Sequence, residues 1–212
     1  MCPWNWVHGN AFLWNGVTEM AKIGIIGDTH CPVMVDGYAE WCMDVFSQWD
    51  IERIIHIGDL SDQHSASMHA SEIGFYDIVS EMEATREQVA HLVDVFGDNV
   101  EVMQGNLDAN LGRKMKLVGL DPALLKTPED IWGVNWTFYP RFHKLIIDDC
   151  IYMHGDQSKG GKTPSLAKAE AEWMSVICGH HHSAAGVSHP QNLQPLDQNH
   201  HPARTPVSRS FR

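Results

Sequence analysis

The chain has 212 residues with a hydrophobic fraction of 43%, values that indicate one globular domain with a sizeable core. Its formal net charge of −12 argues against a broad nucleic-acid-binding face, because an acidic surface releases few counterions from DNA. Apolar runs are far shorter than the roughly 20 residues that span a bilayer, no signal peptide is recognisable, and the five cysteines are widely spaced, so we expect a cytoplasmic protein without membrane contact.

Short apolar runs alternate with helical patterns in the first half of the chain. Strands are predicted over Ile23–Ile26, residues 53–57 and Val100–Met103, and helices over residues 38–49 and 80–96, the second ended by Gly97. This βαβαβ order predicts a mainly parallel sheet in an α/β protein.

The pattern changes after residue 108. A short helix is predicted over residues 111–117, followed by antiparallel strands at 136–142, 144–147 and 151–153, a turn at Asp148-Asp149, a helix at 165–173 and a strand at Ser175–Cys178. The domain therefore spans residues 21–189. Residues 1–20 do not fit its pattern, and we interpret them as an N-terminal extension, with Met20 a candidate natural start. Residues 190–212 are polar and contain four prolines, which predicts a disordered tail.

Seven side chains of the metal-binding type follow the predicted strands in five clusters. They are Asp28 with His30, Asp59, Asn106, His154, and His180 with His182. Because ligands bind at the carboxyl ends of strands in a βαβ sheet, this spacing predicts that five loops meet at one edge. Any one of these elements alone is more often a turn or an ordinary histidine. Together they indicate a site for two divalent cations. A pair of such ions can catalyse the cleavage of phosphate esters.

The motifs GDTH at 27–30, GDLSD at 58–62, GN at 105–106, HG at 154–155 and GHHH at 179–182 resemble the motif series of the calcineurin-like metallophosphoesterase superfamily. The resemblance covers about residues 22–187 and is nearest to small bacterial and phage phosphoesterases. It implies two mixed β-sheets packed as a sandwich and flanked by helices. It also implies hydrolysis of a phosphate-ester substrate by a hydroxide that bridges two metal ions.

The same resemblance assigns the ligands. It implies that Asp28, His30, Asp59 and His182 hold one ion, and that Asp59, Asn106, His154 and His180 hold the other. Asp59 would bridge the two ions, and Asp59 and Asn106 would be catalytic. His180 and His182, two apart in an extended segment, would face one side and His181 the other. We expect manganese, with iron, zinc or nickel as alternatives.

Two features depart from the family pattern. Leu107 stands where the family has a histidine that contacts the substrate phosphate or protonates the leaving group. Asp108 is then left as a candidate helix N-cap, and His64 becomes the best substitute acid, ahead of His69. Residues 184–187 fit the start of one of the strands that usually complete the second sheet, but the polar tail replaces what should follow. The chain is then truncated, frame-shifted or completed by homodimerisation.

Three functions remain open from the sequence. The first is a phosphomonoesterase or phosphodiesterase, weakened by Leu107, that hydrolyses aryl phosphates with manganese and turns over alkyl phosphates poorly. The second is a catalytically impaired metal-binding scaffold for protein interaction. The third is a nuclease of the same superfamily, which the acidic charge disfavours.

Overall fold

A computed structural model describes residues 4–7, 11–14, 20–68, 77–157, 164–182, 186–188 and 208–210. The strands are β1 (Trp4–Val7), β2 (Ala11–Trp14), β3 (Ile23–Ile26), β4 (Arg53–His56), β5 (Val100–Met103), β6 (Thr137–Tyr139), β7 (Leu145–Ile147), β8 (Cys150–Met153), β9 (Ser175–Cys178), β10 (Gly186–Ser188) and β11 (Ser208–Ser210). The α-helices are α1 (Tyr38–Ser47), α2 (Ile78–Phe96), α3 (Asn110–Leu117), α4 (Pro128–Trp132) and α5 (Pro164–Glu172).

The first large sheet has the strand order β3-β4-β5-β6, and every pair in it is parallel. The predicted antiparallel arrangement was wrong for β6, because Val102 pairs in parallel with Phe138. The chain between β5 and β6 includes α3 and α4, which makes it long enough to return β6 in the same direction. This sheet is therefore not mixed, in contrast to the expectation.

The second large sheet is mixed, with the order β10-β11-β9-β8-β7. β7 and β8 are antiparallel and are joined at Asp148 and Asp149, whose φ angles of 49° and 59° are those of a two-residue hairpin turn. The predicted turn is confirmed. The β8–β9 pair is parallel, with α5 as the crossover.

The two sheets pack against each other through an apolar cluster to which both contribute. Ile55 of the first sheet and Tyr152 and Ile177 of the second are buried there. The opposite face of the first sheet packs under α1 and α2, with Phe46, Leu92 and other buried side chains between them. Ala169 of α5 packs on the second sheet beside buried residues of β8 and β9. The protein is thus α/β, with two sheets flanked by helices.

Both ends of the chain contain paired strands. β1 and β2 form a separate antiparallel sheet hydrogen-bonded to each other. Two strands follow the GHHH motif, since β10 and β11 extend the second sheet and β11 pairs with β9 in parallel. β10 overlaps the strand start expected at residues 184–187, whereas β11 lies within the polar tail that was expected to replace the next strand. The rest of the predicted tail lies outside the described residues. In the described part of the chain, no helix combines the length and apolar character needed to cross a bilayer.

Candidate metal centre

Five loops bring the predicted ligands together at the strand ends. Asp28 and His30 follow β3, Asp59 follows β4, and Asn106 follows β5. From the second sheet, His154 follows β8, and His180 and His182 follow β9. Because β3, β4, β5, β8 and β9 end in the same direction within their parallel pairs, the two sheets meet with their carboxyl edges around one site.

The first group at this edge consists of Asp28, His30 and His182, whose ligand atoms lie within 4.8 Å of one another. The Asp28 carboxylate is fully buried, and its Oδ2 accepts from the backbone N–H of His180 at 2.7 Å. The same oxygen lies 2.8 Å from Nε2 of His182, whose side chain is half exposed. The group is therefore a buried carboxylate between two imidazoles, open to solvent on the His182 side.

The second group consists of Asp59, His154 and His180, again within 4.8 Å. Oδ1 of Asp59 accepts from the backbone N–H of Leu107 at 2.8 Å, and Oδ2 lies 3.2 Å from Nε2 of His154. Asn106 joins this group, because its Oδ1 lies 3.1 Å from the same nitrogen. These side chains fall into the two predicted groups, except that Asp59 belongs to the second group alone.

The two groups are adjacent. Nδ1 of His154, in the second group, lies 3.7 Å from Oδ1 of Asp28 in the first. The rings of His30 and His182 are 5.2 Å apart, as are those of His154 and His180. Asp59 lies in the second group, and its role as the bridge between two ions stays a prediction.

Three ligand atoms are placed so that a bound cation would supply a partner that they lack. Nδ1 of His154 donates to the carbonyl of Ile57, so the lone pair of Nε2 faces two oxygen acceptors. A proton or a metal ion on Nε2 would satisfy that arrangement. In the described part of the chain, Nε2 of His30 and Oδ1 of Asp28 are buried without a hydrogen-bond partner. The donor set of imidazole, carboxylate and amide oxygen suits manganese, iron, zinc or nickel.

The electrostatics of His154 and Asp59 reflect this arrangement. Burial opposes a charge on His154, but the hydrogen bond and the negative charge of Asp59 outweigh it and raise the His154 pKa to about 9. Burial likewise opposes ionisation of Asp59, yet the contact with His154 holds the pKa of that carboxyl below its usual value. The imidazole then carries a proton at neutral pH where a metal ion would otherwise sit, so ion and proton compete.

Asp62 positions His30. Its Oδ1 lies 3.1 Å from Nδ1 of His30, which fixes Nδ1 as the protonated nitrogen and turns Nε2 toward the centre. Asp156, two residues after His154, pairs instead with Arg141. Asp62, the last residue of the GDLSD motif, thus supports His30, a ligand from the GDTH motif.

Replacing Asp62 with alanine should weaken manganese binding about 10- to 100-fold, the usual effect of removing the outer partner of a ligating histidine. Asp62→Asn keeps an acceptor for Nδ1 and should recover most of the affinity. Calorimetric titration of metal-free protein measures both. Equal losses in the two variants would show that charge, and not the orientation of His30, accounts for the effect.

Two motif glycines allow the carboxylates to approach the backbone. A Cβ atom at Gly105 would collide with Oδ1 and the backbone nitrogen of Asp59, and one at Gly179 would collide with Oδ1 of Asp28. The obstacle at each position is a buried carboxylate that cannot move aside. The glycines of GN and GHHH are therefore part of how the site closes around Asp59 and Asp28.

Asp108 has a different role from the predicted N-cap. The N-cap of α3 is Ala109, and the Asp108 carboxylate accepts instead from the backbone N–H groups of Gly105, Leu60 and Ser61. Burial, reinforced by the charge of Asp59, raises its pKa. Asp108 thus ties the loop that carries Asn106 to the loop that carries Asp59.

The GHHH segment is not extended as predicted. His180 has a φ of 67°, so His180 and His182 enter different groups by a turn of the backbone and not by alternation along a strand. His181 is in neither group. Its ring stands edge-on to that of His180 at 4.7 Å, and its Nε2 lies 3.5 Å from Nζ of Lys168.

His64 is not brought into the centre. It begins a 3₁₀ turn, His64–Ala66, and its backbone N–H donates to Glu81 of α2 at 2.6 Å. Among the described residues, neither metal-type group includes it. Its role as substitute acid stays a prediction, while His69 lies outside the described residues.

A buried histidine that the sequence analysis did not single out supports the centre. The Thr29 hydroxyl donates to the carbonyl of Leu60 at 3.1 Å, so Nε2 of His56, 3.0 Å away, must donate to Thr29. Nδ1 of His56 then accepts from the N–H of Gly58 at 3.2 Å. This neutral imidazole joins the loops that carry Asp28 and Asp59. Its only sequence signal is a histidine ending an apolar strand directly before Ile57 and Gly58.

The metal-free protein should lose stability as the pH falls below about 6.5, partly through His56. Burial lowers the His56 pKa to about 3, so between these values the unfolded state binds a proton that the folded state excludes. Between pH 6.5 and 4.5, wild type should lose about 2 kcal/mol more of its unfolding free energy than His56→Gln. Urea unfolding with a chelator measures this, and parallel losses in the two proteins would contradict it.

No protein-family model matches the chain, and no curated protein sequence matches it.

Proposed function

We propose that the chain is a dinuclear metal-dependent phosphoesterase of the calcineurin-like kind, with the two-sheet sandwich of that superfamily. One observation carries the proposal: Nε2 of His154 presents its lone pair to oxygens of Asp59 and Asn106, an arrangement that a divalent cation would satisfy. A second group of the same chemistry lies beside it, around Asp28, His30 and His182. Two neighbouring cation sites occur in phosphatases and nucleases, among other enzymes.

A backbone N–H holds one oxygen of each carboxylate in place. Asp28 is held through Oδ2 by the backbone of His180, and Asp59 through Oδ1 by the backbone of Leu107. Outer partners fix the histidines, with Asp62 on His30 and the Ile57 carbonyl on His154. The ligands are thus oriented before any ion arrives, which lowers the cost of assembling the centre.

Asp28, His30 and His182 would hold one ion, Asn106, His154 and His180 the other, with Asp59 shared between them. When bound, two such ions supply a water of lowered pKa and neutralise charge on the phosphoryl oxygens. Leu107 offers no proton to the departing oxygen. Esters whose leaving groups are stable as anions should therefore react, and alkyl esters should react poorly.

The test is elemental analysis of purified protein together with a panel of esters. We expect close to two divalent ions per chain and manganese-dependent hydrolysis of p-nitrophenyl phosphate or bis-p-nitrophenyl phosphate, which separates monoesterase from diesterase. Ethyl phosphate should be a much poorer substrate. A protein that retains no metal would contradict the proposal.

Leu107 favours one other function, a metal-binding scaffold that has lost catalysis. Among the residues that the structure describes, the two ligand groups contain only side chains that would already hold metal. Two bound ions without turnover of any aryl ester would identify the scaffold. Cleavage of single-stranded or duplex DNA exceeding that of bis-p-nitrophenyl phosphate would instead indicate the nuclease.

A further inference from the structure

A cavity opens beside the first ligand group, and part of its wall has no role in holding metal. Its volume is about 360 Å³. One wall is polar and consists of Asp28, Thr29, His30 and His182. The second wall consists of Val33, Met34, Val35 and Tyr38. This volume falls within the usual range for a small-molecule site. The cavity thus opens directly from the place where a phosphate would bind.

The second wall is apolar and uncharged. Met34 and Tyr38 are partly buried against the core and form its inner part, while Val33 and Val35 are exposed at its rim. Trp41 stacks on Tyr38, with ring centroids 6.3 Å apart, and is itself exposed. Among the described lining residues there is no lysine or arginine to receive a second anionic group.

The apolar wall is held in place by bonds to the surrounding loops. The N–H of Val33 donates to the carbonyl of His30 at 2.9 Å, and the N–H of Cys31 to the carbonyl of Leu60 at 2.8 Å. The Tyr38 hydroxyl accepts from the N–H of Gly27 at 3.2 Å, which connects this wall to the loop that carries Asp28. The cavity is therefore largely preformed, as small-molecule sites usually are.

We propose that this cavity binds the organic group of the substrate and that this group is an uncharged aromatic ring. The inference rests on the proposed function, because the phosphate must sit at the ligand groups for its ester group to reach this wall. An exposed apolar surface that continues into a polar catalytic edge is the usual form of such a subsite. Polyphosphates and charged ester groups would lose hydration here without a compensating partner.

Phenyl phosphate and 2-naphthyl phosphate form a suitable pair of probes, since the two phenols are similar in acidity and differ in apolar area. A fused second ring should lower KM roughly five- to tenfold in wild type with little change in kcat. Calorimetry with benzylphosphonate and 2-naphthylmethylphosphonate on the manganese-loaded protein should show the same preference without any chemical step.

Val35→Asp should abolish the preference for the naphthyl ligand, because a carboxylate at the rim opposes burial of the ring. Leu124→Asp is the matched control, since Leu124 is 73% exposed and Val35 74%, and Leu124 does not line the cavity. The control should retain the wild-type preference.

The outcomes separate the two proposals. Turnover of phenyl phosphate with equal KM values for both esters would overturn the aromatic subsite and leave the phosphoesterase standing. Equal loss of preference in Val35→Asp and Leu124→Asp would also overturn the subsite. Absence of turnover together with absence of phosphonate binding would overturn both. A naphthyl preference in calorimetry without turnover would support the cavity's ligand class and overturn hydrolysis.

Discussion

Asp59→Asn should lose hydrolysis of aryl phosphates by at least about 10³-fold and weaken metal binding by at least about 100-fold. The carboxylate is buried, accepts from Leu107 and faces His154, so the change removes a charge from the middle of the centre. An asparagine can keep the bond from Leu107 and donate to the His154 lone pair. The fold should therefore survive while the requirement for a cation disappears. Elemental analysis and initial rates measure the two effects.

Asp50→Asn is a closely matched control. Asp50 and Asp59 have φ values of 50° and 49°, a conformation that asparagine tolerates well, but the side chain of Asp50 is 90% exposed. Asp50→Asn should leave metal content and rate unchanged.

In Asp59→Asn, the pKa of His154 should fall from about 9 toward its ordinary value, as NMR titration of the metal-free protein would show. Unaltered metal content in Asp59→Asn would contradict the assignment of Asp59.

Leu107→His should raise turnover of alkyl phosphates by roughly 10- to 100-fold and change turnover of p-nitrophenyl phosphate little. The backbone N–H of Leu107 donates to Asp59, so residue 107 is fixed beside the second ligand group. A histidine there can protonate the departing oxygen, a contribution typically worth about 10²- to 10⁴-fold. Alkyl esters need that proton and aryl esters do not.

The expected gain in alkyl-ester turnover lies at the lower end of the range for a general acid, because the Asp108 carboxylate is already hydrogen-bonded to the backbone. Its carboxylate accepts from Gly105, Leu60 and Ser61, so it is not arranged to orient a new imidazole. Leu117→His, at an exposed position of α3, controls for the introduction of a histidine. If alkyl esters gain nothing in Leu107→His, the missing acid does not explain their poor turnover.

Much of the architecture was predictable because local signals agreed with the tertiary environment. β3, β5 and β9 have the predicted bounds, and α2 ends at Gly97, whose φ of 76° lies in the region that favours glycine. Asp148 and Asp149 make the predicted turn between β7 and β8. These elements depend on apolar periodicity and on residues with distinct backbone preferences, which a sequence displays directly.

Other elements depended on partners far along the chain. The direction of β6 is set by pairing with β5, and β11 is a polar strand that forms only beside β9 and β10. α4 is five residues long and gives too short a pattern to recognise, although it buries Trp132. For such elements, tertiary pairing outweighs local propensity.

The sequence by itself placed the seven candidate side chains directly after strands, because short apolar runs followed by polar motifs mark strand ends. Their meeting at one site also required the two sheets to pack with their carboxyl edges together. Only the tertiary structure decided what holds them there, namely Asp62 on His30, Asp108 across two loops, His56 beneath Thr29, and the turn at His180. Hydrogen bonds between residues 27 to 47 positions apart leave no periodic trace in a sequence, since each depends on where two separate loops lie in space.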